Sequence, residues 1–216
     1  MYFTPISGDI IRMNFYTDTG CVLERVIEEH FYRIYSQISP NIIGKKEYIA
    51  GYPTDGIIRL YDDNDNYLGY LMQEVKRDVG LNSVQVHRSF LQTIMYLGNV
   101  FYDAHILGVD NFVGVILNSA RYYCFIPKHV MVEVMEDFEP HWKKYYRCAP
   151  SEAYKADNHY LDGWAKQKWS EIEKYCYNLD NTFKLDEFFE TIYTKYLNYG
   201  INNGTNDARE GDSHQG

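Results

Sequence analysis

Two carboxylates and a lysine of this 216-residue chain could together hold a metal ion and a phosphate group. Asp55 stands in a PTDG sequence, and Glu74 and Lys76 stand in a QEVK sequence. Side chains two residues apart on a β-strand share a face, so Glu74 and Lys76 point one way while Gln73 and Val75 point the other. Hard divalent cations prefer carboxylate oxygens, and a nearby ammonium suits a phosphate.

A β-hairpin is the element that must position these groups. Ile57–Tyr61 reads as a strand, Asp62–Asn66 (DDNDN) is a dense turn signal, and Tyr67–Lys76 reads as the returning strand. The hairpin would bring Asp55 beside Glu74. Taken singly, Asp55 also fits an ordinary turn, and the Glu74 strand also fits a solvated sheet face.

Two helices are predicted around the hairpin. The first spans 21–37, follows a TDTG segment that can cap it, and ends before Pro40. Near-helical spacing places these apolar residues on its inner face: Val22, Val26, Phe31 and Ile34. The second helix runs from a cap at 82–83 to about Phe101 with apolar Val84, Leu91, Ile94, Leu97 and Val100. Steps of three, four and four residues put Gln85, Arg88, Gln92 and Tyr96 on one stripe of this helix.

The order of elements predicts an α/β domain with a central mixed β-sheet flanked by helices. Residues 112–126 read as a strand pair around an Asn-Ser turn, and helices are predicted at 163–177 and 185–199. Residues 142–160 are polar and aromatic without clear periodicity. We therefore expect a core domain over 1–140, a helical extension or linker over 141–199, and a flexible tail over 200–216.

Composition limits the class of protein. The chain is 45% hydrophobic and 17% aromatic, which favours a packed core over disorder. No apolar run approaches the roughly 20 residues of a membrane helix, and a signal pattern is absent, so we expect a soluble cytoplasmic protein. Four scattered cysteines suggest reduced thiols and no zinc site. A net charge of −9 argues against a generic nucleic-acid-binding surface but leaves a nuclease possible, since metal sites are acidic.

Taken in order along the chain, these elements resemble the PD-(D/E)XK nuclease superfamily. They are similar in particular to the N-terminal nuclease domain of type I and type IIG restriction enzymes. The resemblance covers roughly residues 20–130 and rests on an acid of the first helix (Glu24 or Glu28), the PTDG and QEVK sequences, Gln92 to Tyr96 on the second helix, and the closing strand pair. Thr54 departs from the pattern by separating the proline from Asp55.

The resemblance implies a restriction-endonuclease-like core and a Mg²⁺-dependent phosphodiesterase, with Mn²⁺ as a substitute metal. It implies that Asp55, Glu74 and the carbonyl of Val75 hold the metal, and that Glu24, favoured over Glu28, touches it through water. Lys76 would position or deprotonate the attacking water or stabilise charge on the phosphate. Gln92 would reach Lys76 or the water.

The expected function is therefore DNA cleavage by the cutting module of a restriction-modification or related defence enzyme. The chain carries no P-loop, GxGxxG or methyltransferase motif. We thus expect an N-terminal fragment whose methyltransferase and specificity domains lie on further sequence. A basic-aromatic patch at 142–147 could contact DNA or pack as a linker. Two alternatives stay open: a non-catalytic interaction module with this fold, and an RNA-directed or structure-specific nuclease.

Overall fold

A computed structural model of the chain describes residues 1–13, 15, 23–49, 52–77, 80–102, 109–145 and 150–200. The helices are α1 (Gly8–Met13), α2 (Glu24–Ile38), α3 (Val84–Tyr102), α4 (Lys128–Tyr145), α5 (Pro150–Ile172) and α6 (Leu185–Thr191). The strands are β1 (Ile42–Lys45), β2 (Tyr48–Ile49), β3 (Tyr52–Pro53), β4 (Gly56–Tyr61), β5 (Tyr67–Val75), β6 (Phe112–Asn118), β7 (Tyr122–Pro127) and β8 (Cys176–Asn178). Within these ranges no helix has both the length and the apolar character needed to cross a bilayer.

The main sheet has six strands in the order β1-β4-β5-β6-β7-β8. β5 and β6 are parallel, and the other neighbours are antiparallel, so the sheet is mixed as predicted. A parallel pair requires a crossover connection, and α3 lies in the connection between β5 and β6. The β4–β5 hairpin is confirmed, with Gly56 opposite Gln73. The strand pair around the 118–119 turn is confirmed as β6 and β7.

Helices cover both faces of this sheet, which confirms the α/β class. One face carries a hydrophobic core built with α3, α4 and α5, which includes Phe90, Phe138 and Trp169. The other carries a second core built with α2 and α6, which includes Phe31 and Phe189. The sheet is therefore an inner layer between two helical layers.

The inner face of α2 differs from the one predicted. Val26 is exposed, and the apolar residues that α2 buries are Ile27, Phe31, Ile34, Tyr35 and Ile38. The predicted face joined Val22 and Val26, whereas the helix begins at Glu24 and turns Ile27 inward. Val84 of α3 is likewise exposed because it is the first residue of its helix. The capping segment at 17–20 and Val22 lie outside the described residues.

The C-terminal part contains helices that the sequence did not reveal. α4 covers 128–145, and α5 begins at Pro150 rather than at 163. α5 ends at Ile172, and the predicted helical residues Cys176 and Tyr177 form the edge strand β8. The inner face of α5 includes Ala153 and Ala165, and such small residues give a weak hydrophobic period.

The expected extension over 141–199 packs directly on the core. α5 contributes Leu161 and Trp169 to one hydrophobic core, and α6 contributes Leu185 and Phe189 to the other. β8 pairs with β7 and so belongs to the main sheet. The tail expected at 200–216 and the basic-aromatic patch at 142–147 fall largely on residues whose side chains are not described.

Gly114 in the central strand β6 provides a test of this packing. A Cβ atom there would lie 2.6 Å from the carbonyl oxygen of Ile126 and 2.7 Å from the ring of Phe125. We expect Gly114→Ala to lower the free energy of unfolding by about 2 kcal/mol, because neither the backbone nor the ring can move away freely. Gly163→Ala is the matched control: no atom lies within 4 Å of its Cβ position, and alanine favours the helix. Urea denaturation measures both; equal effects would contradict the assigned packing.

A candidate metal and phosphate site

Asp55 is fixed by backbone contacts where β4 begins. Its Oδ2 accepts a hydrogen bond of 2.8 Å from the backbone N–H of Val75, which places it against the end of β5 as predicted. The hydroxyl of Tyr32 on α2 donates to the backbone oxygen of Asp55. Gly56 permits this approach, since a Cβ atom there would lie 3.0 Å from the Tyr32 oxygen. The glycine after Asp55 is therefore a packing requirement.

Thr54, the departure from the family pattern, anchors the segment before Asp55. Both its backbone N–H and its hydroxyl donate to the carbonyl oxygen of Glu47, at 2.8 and 2.9 Å. Its side chain is fully buried. The extra residue thus fixes the chain just ahead of the carboxylate.

Lys76 joins two carboxylates from different elements. Its ammonium lies 2.8 Å from Oε1 of Glu74 on β5 and 3.1 Å from Oε1 of Glu24 at the start of α2. Glu74 is 1% exposed, and its second oxygen, Oε2, has no hydrogen-bond partner. A buried carboxylate oxygen without a donor is costly, and a bound cation is one way to satisfy it.

Burial is the largest single influence on the pKa values of Asp55, Glu74 and Lys76. It raises the pKa of Glu74 from 4.5 to about 8, although Lys76 acts in the opposite direction. Burial also raises the pKa of Asp55, again against the effect of Lys76. For Lys76, burial lowers the pKa, but the carboxylates of Glu74 and Asp55 outweigh it and the net shift is upward. Lys76 therefore stays an ammonium at neutral pH.

The structure separates the two candidate acids of the first helix. Glu24 contacts Lys76, whereas Oε2 of Glu28 lies 3.3 Å from the ammonium of Lys46. Burial raises the pKa of Glu28, and the charge of Asp55 raises it further. Glu24 and Glu28 therefore contact different lysines, while the pKa shifts show an electrostatic influence between Asp55 and each of them.

Sequence reasoning missed Lys46 and Tyr32. Lys46 follows β1 and brings a half-exposed cation whose charge acts on Asp55. The adjacent basic pair Lys45-Lys46, shortly before the PTDG segment, was the available signal. Tyr32 had no signal of its own, because one tyrosine among 22 does not stand out.

Gln92 reaches the site through a neighbour. Its amide nitrogen donates to the hydroxyl of Tyr96 at 3.0 Å. The expected contact of Gln92 with Lys76 or the attacking water stays a prediction. Burial, followed by the charge of Glu74, raises the pKa of Tyr96 to about 12. Within the predicted stripe of α3, Gln92 and Tyr96 contact each other, whereas Arg88 forms an ion pair with Asp162 of α5.

A polar cluster on the opposite face of β5 fixes α2 to the sheet. The hydroxyl of Tyr35 donates to Oε1 of Gln73 at 2.5 Å and lies 3.2 Å from the hydroxyl of Tyr123. All three side chains are fully buried. Gln73 and Glu74 therefore point to opposite faces, as the alternation predicted.

The two carboxylates of Asp55 and Glu74 suit Mg²⁺ better than a metal that needs many protein ligands. Among the described residues, no group of three or more His, Cys, Asp or Glu side chains has the spacing of a metal site. Mg²⁺ binds through one or two carboxylates and keeps several waters. Asp55 and Glu74 would supply these carboxylates, and Oε2 of Glu74, which has no hydrogen-bond partner, is the atom open to such a ligand role. The ligand roles of these residues, of the Val75 carbonyl and of Glu24 stay predictions.

No family model, curated protein or solved structure matches the chain.

The raised pKa of Glu74 predicts a pH-dependent stability in the metal-free protein. The folded state keeps a proton on Glu74 up to about pH 8, whereas the unfolded chain releases it near pH 4.5. Stability from this group is therefore complete below pH 4.5 and is lost as pH rises toward 8. We expect Glu74→Gln to remove this loss, so that its melting temperature exceeds that of the wild type by roughly 5 °C at alkaline pH.

Calorimetric melting in EDTA across this pH range measures the difference. Glu133→Gln, which alters an exposed glutamate of α4, serves as the matched control. Parallel pH profiles for the wild type and Glu74→Gln would contradict the assignment.

Proposed function

We propose that the chain is a Mg²⁺-dependent endonuclease module that hydrolyses phosphodiester bonds of DNA. The observation that carries this proposal is the buried carboxylate of Glu74, which keeps one oxygen unpaired beside Asp55 and the ammonium of Lys76. A purely structural ion pair would use both oxygens of a buried carboxylate. An unpaired carboxyl oxygen next to a retained cation is suited to a metal and a phosphate together, and a bound metal would displace the proton that burial keeps on Glu74.

The position of each residue in the site indicates the role that it would have in the reaction. Asp55 and Glu74 would hold Mg²⁺, which polarises the phosphate and lowers the pKa of bound water. Lys76 stays protonated because its pKa is raised, so it stabilises the charge that develops on the phosphate and does not accept the proton of the water. Glu24 holds the ammonium in place from α2. Gln92 orients Tyr96 at the edge of the site.

DNA as the substrate rests on the resemblance to the nuclease domains of type I and type IIG restriction enzymes. Such a module would act in a restriction-modification or related defence enzyme with covalently linked methyltransferase and specificity domains. Lys46 is the described cation best placed for a neighbouring backbone phosphate, because it is half exposed beside Asp55. Cleavage of duplex DNA, single-stranded DNA and RNA in parallel separates this proposal from an RNA-directed nuclease.

A non-catalytic interaction module with the same fold is the second candidate. It is favoured by the contacts of Lys76, whose ammonium already binds Glu74 and Glu24, and by the lack of a three-side-chain metal cluster in the described residues. In such a module, the ion pairs would only stabilise the junction of α2 and β5. Metal binding by calorimetry distinguishes the two candidates.

Substitution of the central pair tests the proposed reaction. We expect Lys76→Ala and Glu74→Ala each to lower Mg²⁺-dependent DNA cleavage by about 100-fold or more, since charge stabilisation and metal binding are lost. Lys155→Ala, at an exposed lysine of α5, should cleave as the wild type does. Circular dichroism verifies folding. Wild-type cleavage by either site variant would show that the site is assigned wrongly.

Calorimetric titration with Mn²⁺ tests metal binding directly, and it applies even if the isolated domain cleaves DNA only weakly. The wild type should release heat, and Glu74→Ala should not. A wild type that binds neither Mn²⁺ nor Mg²⁺ would favour the interaction module.

The two acids of α2 can be told apart by a matched set of substitutions. We expect Glu24→Gln to lower cleavage about 10-fold by loosening Lys76, while Glu29→Gln leaves it unchanged. Glu29 is exposed on the same helix and pairs with Arg25. Cleavage rates of the Glu24→Gln and Glu29→Gln variants at saturating and at limiting Mg²⁺ measure the difference. A larger loss from Glu28→Gln than from Glu24→Gln would move the role of the helix acid to Glu28.

A further inference from the structure

Cys124 and Cys176 lie opposite each other on neighbouring antiparallel strands. Cys124 belongs to β7 and Cys176 to the edge strand β8, and they are register partners. Both are free thiols. The sequence placed them 52 positions apart and gave no sign of the pairing, because β8 was predicted as helix.

The hydrogen-bond pattern identifies the kind of pair that they form. The N–H of Leu179 donates to the carbonyl oxygen of Arg121 at 2.9 Å. Extending the register by one residue beyond the pair of Tyr122 and Asn178 places these two residues opposite each other, so 121 and 179 occupy a hydrogen-bonded position. Hydrogen-bonded and non-hydrogen-bonded pairs alternate along an antiparallel ladder. Three positions further on, Cys124 and Cys176 must form a non-hydrogen-bonded pair.

A non-hydrogen-bonded pair has the geometry of a disulfide. Its Cα atoms are about 4.5 Å apart, and disulfides span Cα distances of about 4.4 to 6.8 Å. Both side chains pack against the α3–α4–α5 face of the sheet, so they point the same way. Burial, followed by the influence of Cys176, raises the pKa of Cys124. Little backbone movement is needed to close the bond.

Solvent reaches one member of the pair. Cys124 is buried, whereas Cys176, on the edge strand, is only half buried. The two thiols therefore differ in access: an oxidant meets Cys176 first, and Cys124 stands behind it. This is the arrangement of an attacking thiol with a resolving partner.

The pair lies in the same cross-strand row as the candidate site. Glu74 pairs with Leu117, Leu117 pairs with Cys124, and Cys124 pairs with Cys176. A covalent bond at the end of this row would fix β8 to β7, on the side of the sheet that carries Glu74. The proposed cleavage reaction uses neither thiol.

We propose that Cys124 and Cys176 are a reversible thiol–disulfide site that closes under mild oxidation by a peroxide. The sulfur of Cys176 attacks one peroxide oxygen, which breaks the O–O bond and gives a sulfenic acid and one water. The sulfur of Cys124 then displaces the hydroxyl group as a second water. Two thiols and one hydrogen peroxide thus give one disulfide and two waters, and a dithiol reductant reverses the reaction.

Peptide mapping of the oxidised 216-residue chain tests the site. The protein carries Cys21→Ser and Cys148→Ser so that only the proposed pair remains, and it is treated with hydrogen peroxide and then alkylated. We expect one peptide pair linked through Cys124 and Cys176, loss of both free thiols, and release by dithiothreitol. The melting temperature should rise by about 10 °C, because the bond closes a long loop of the unfolded chain.

Cys176→Ser in the same background is the control and should show no linked peptide and no rise in melting temperature. Mapping the unsubstituted chain provides the same readout if the double serine variant does not fold. Two free thiols after oxidation, or a link only between separate molecules, would overturn the proposal. This result is independent of DNA cleavage.

Discussion

A carboxylate buried at the end of a strand is the constraint on which the site depends. Glu74 is 1% exposed, and its charged form is tolerated only when a cation compensates it, which is why burial raises its pKa to about 8 in the metal-free protein. Lys76 supplies the cation from the same strand, and Glu24 fixes that cation from α2. The position of α2 over the sheet thus follows in part from the need to neutralise the carboxylate of Glu74. Asp55, whose carboxylate accepts a hydrogen bond from the N–H of Val75, brings a second acidic group next to the same lysine.

The strict alternation of β5 makes this arrangement possible. On one face, Glu74 meets Lys76, and on the other Gln73 accepts a hydrogen bond from Tyr35 of α2. α2 is therefore attached twice to β5 and the residue that follows it: by the charge of Glu24, its first residue, and by the buried hydroxyl of Tyr35 about three turns later. Two separated contacts fix both the position and the rotation of a helix, which is what a metal site needs from its supporting elements.

The sequence predicted the elements whose signals are local and missed those defined by distant contacts. The β4–β5 hairpin followed from a turn signal between two apolar runs, and it placed Asp55 beside Glu74. The start of α5 was missed because Ala153, on its inner face, carries little hydrophobic signal. β8 was taken for helix since its pairing with β7 is set by residues 52 positions away. The contact of Lys46 with Glu28 depends on the fold of β1 over α2, which no local pattern reports.

The alternation of β5 also restricts how the gene can change over evolutionary time. A single-residue insertion or deletion between Leu71 and Glu74 would exchange the two faces of the strand, moving the carboxylate under α2 and the amide of Gln73 into the site. The turn at 62–66 joins β4 to β5 at the far end of the hairpin, so a change in its length would not exchange the two faces of β5. Length variation among descendants of this chain should therefore collect in that turn, while the spacing from Leu71 to Lys76 stays constant.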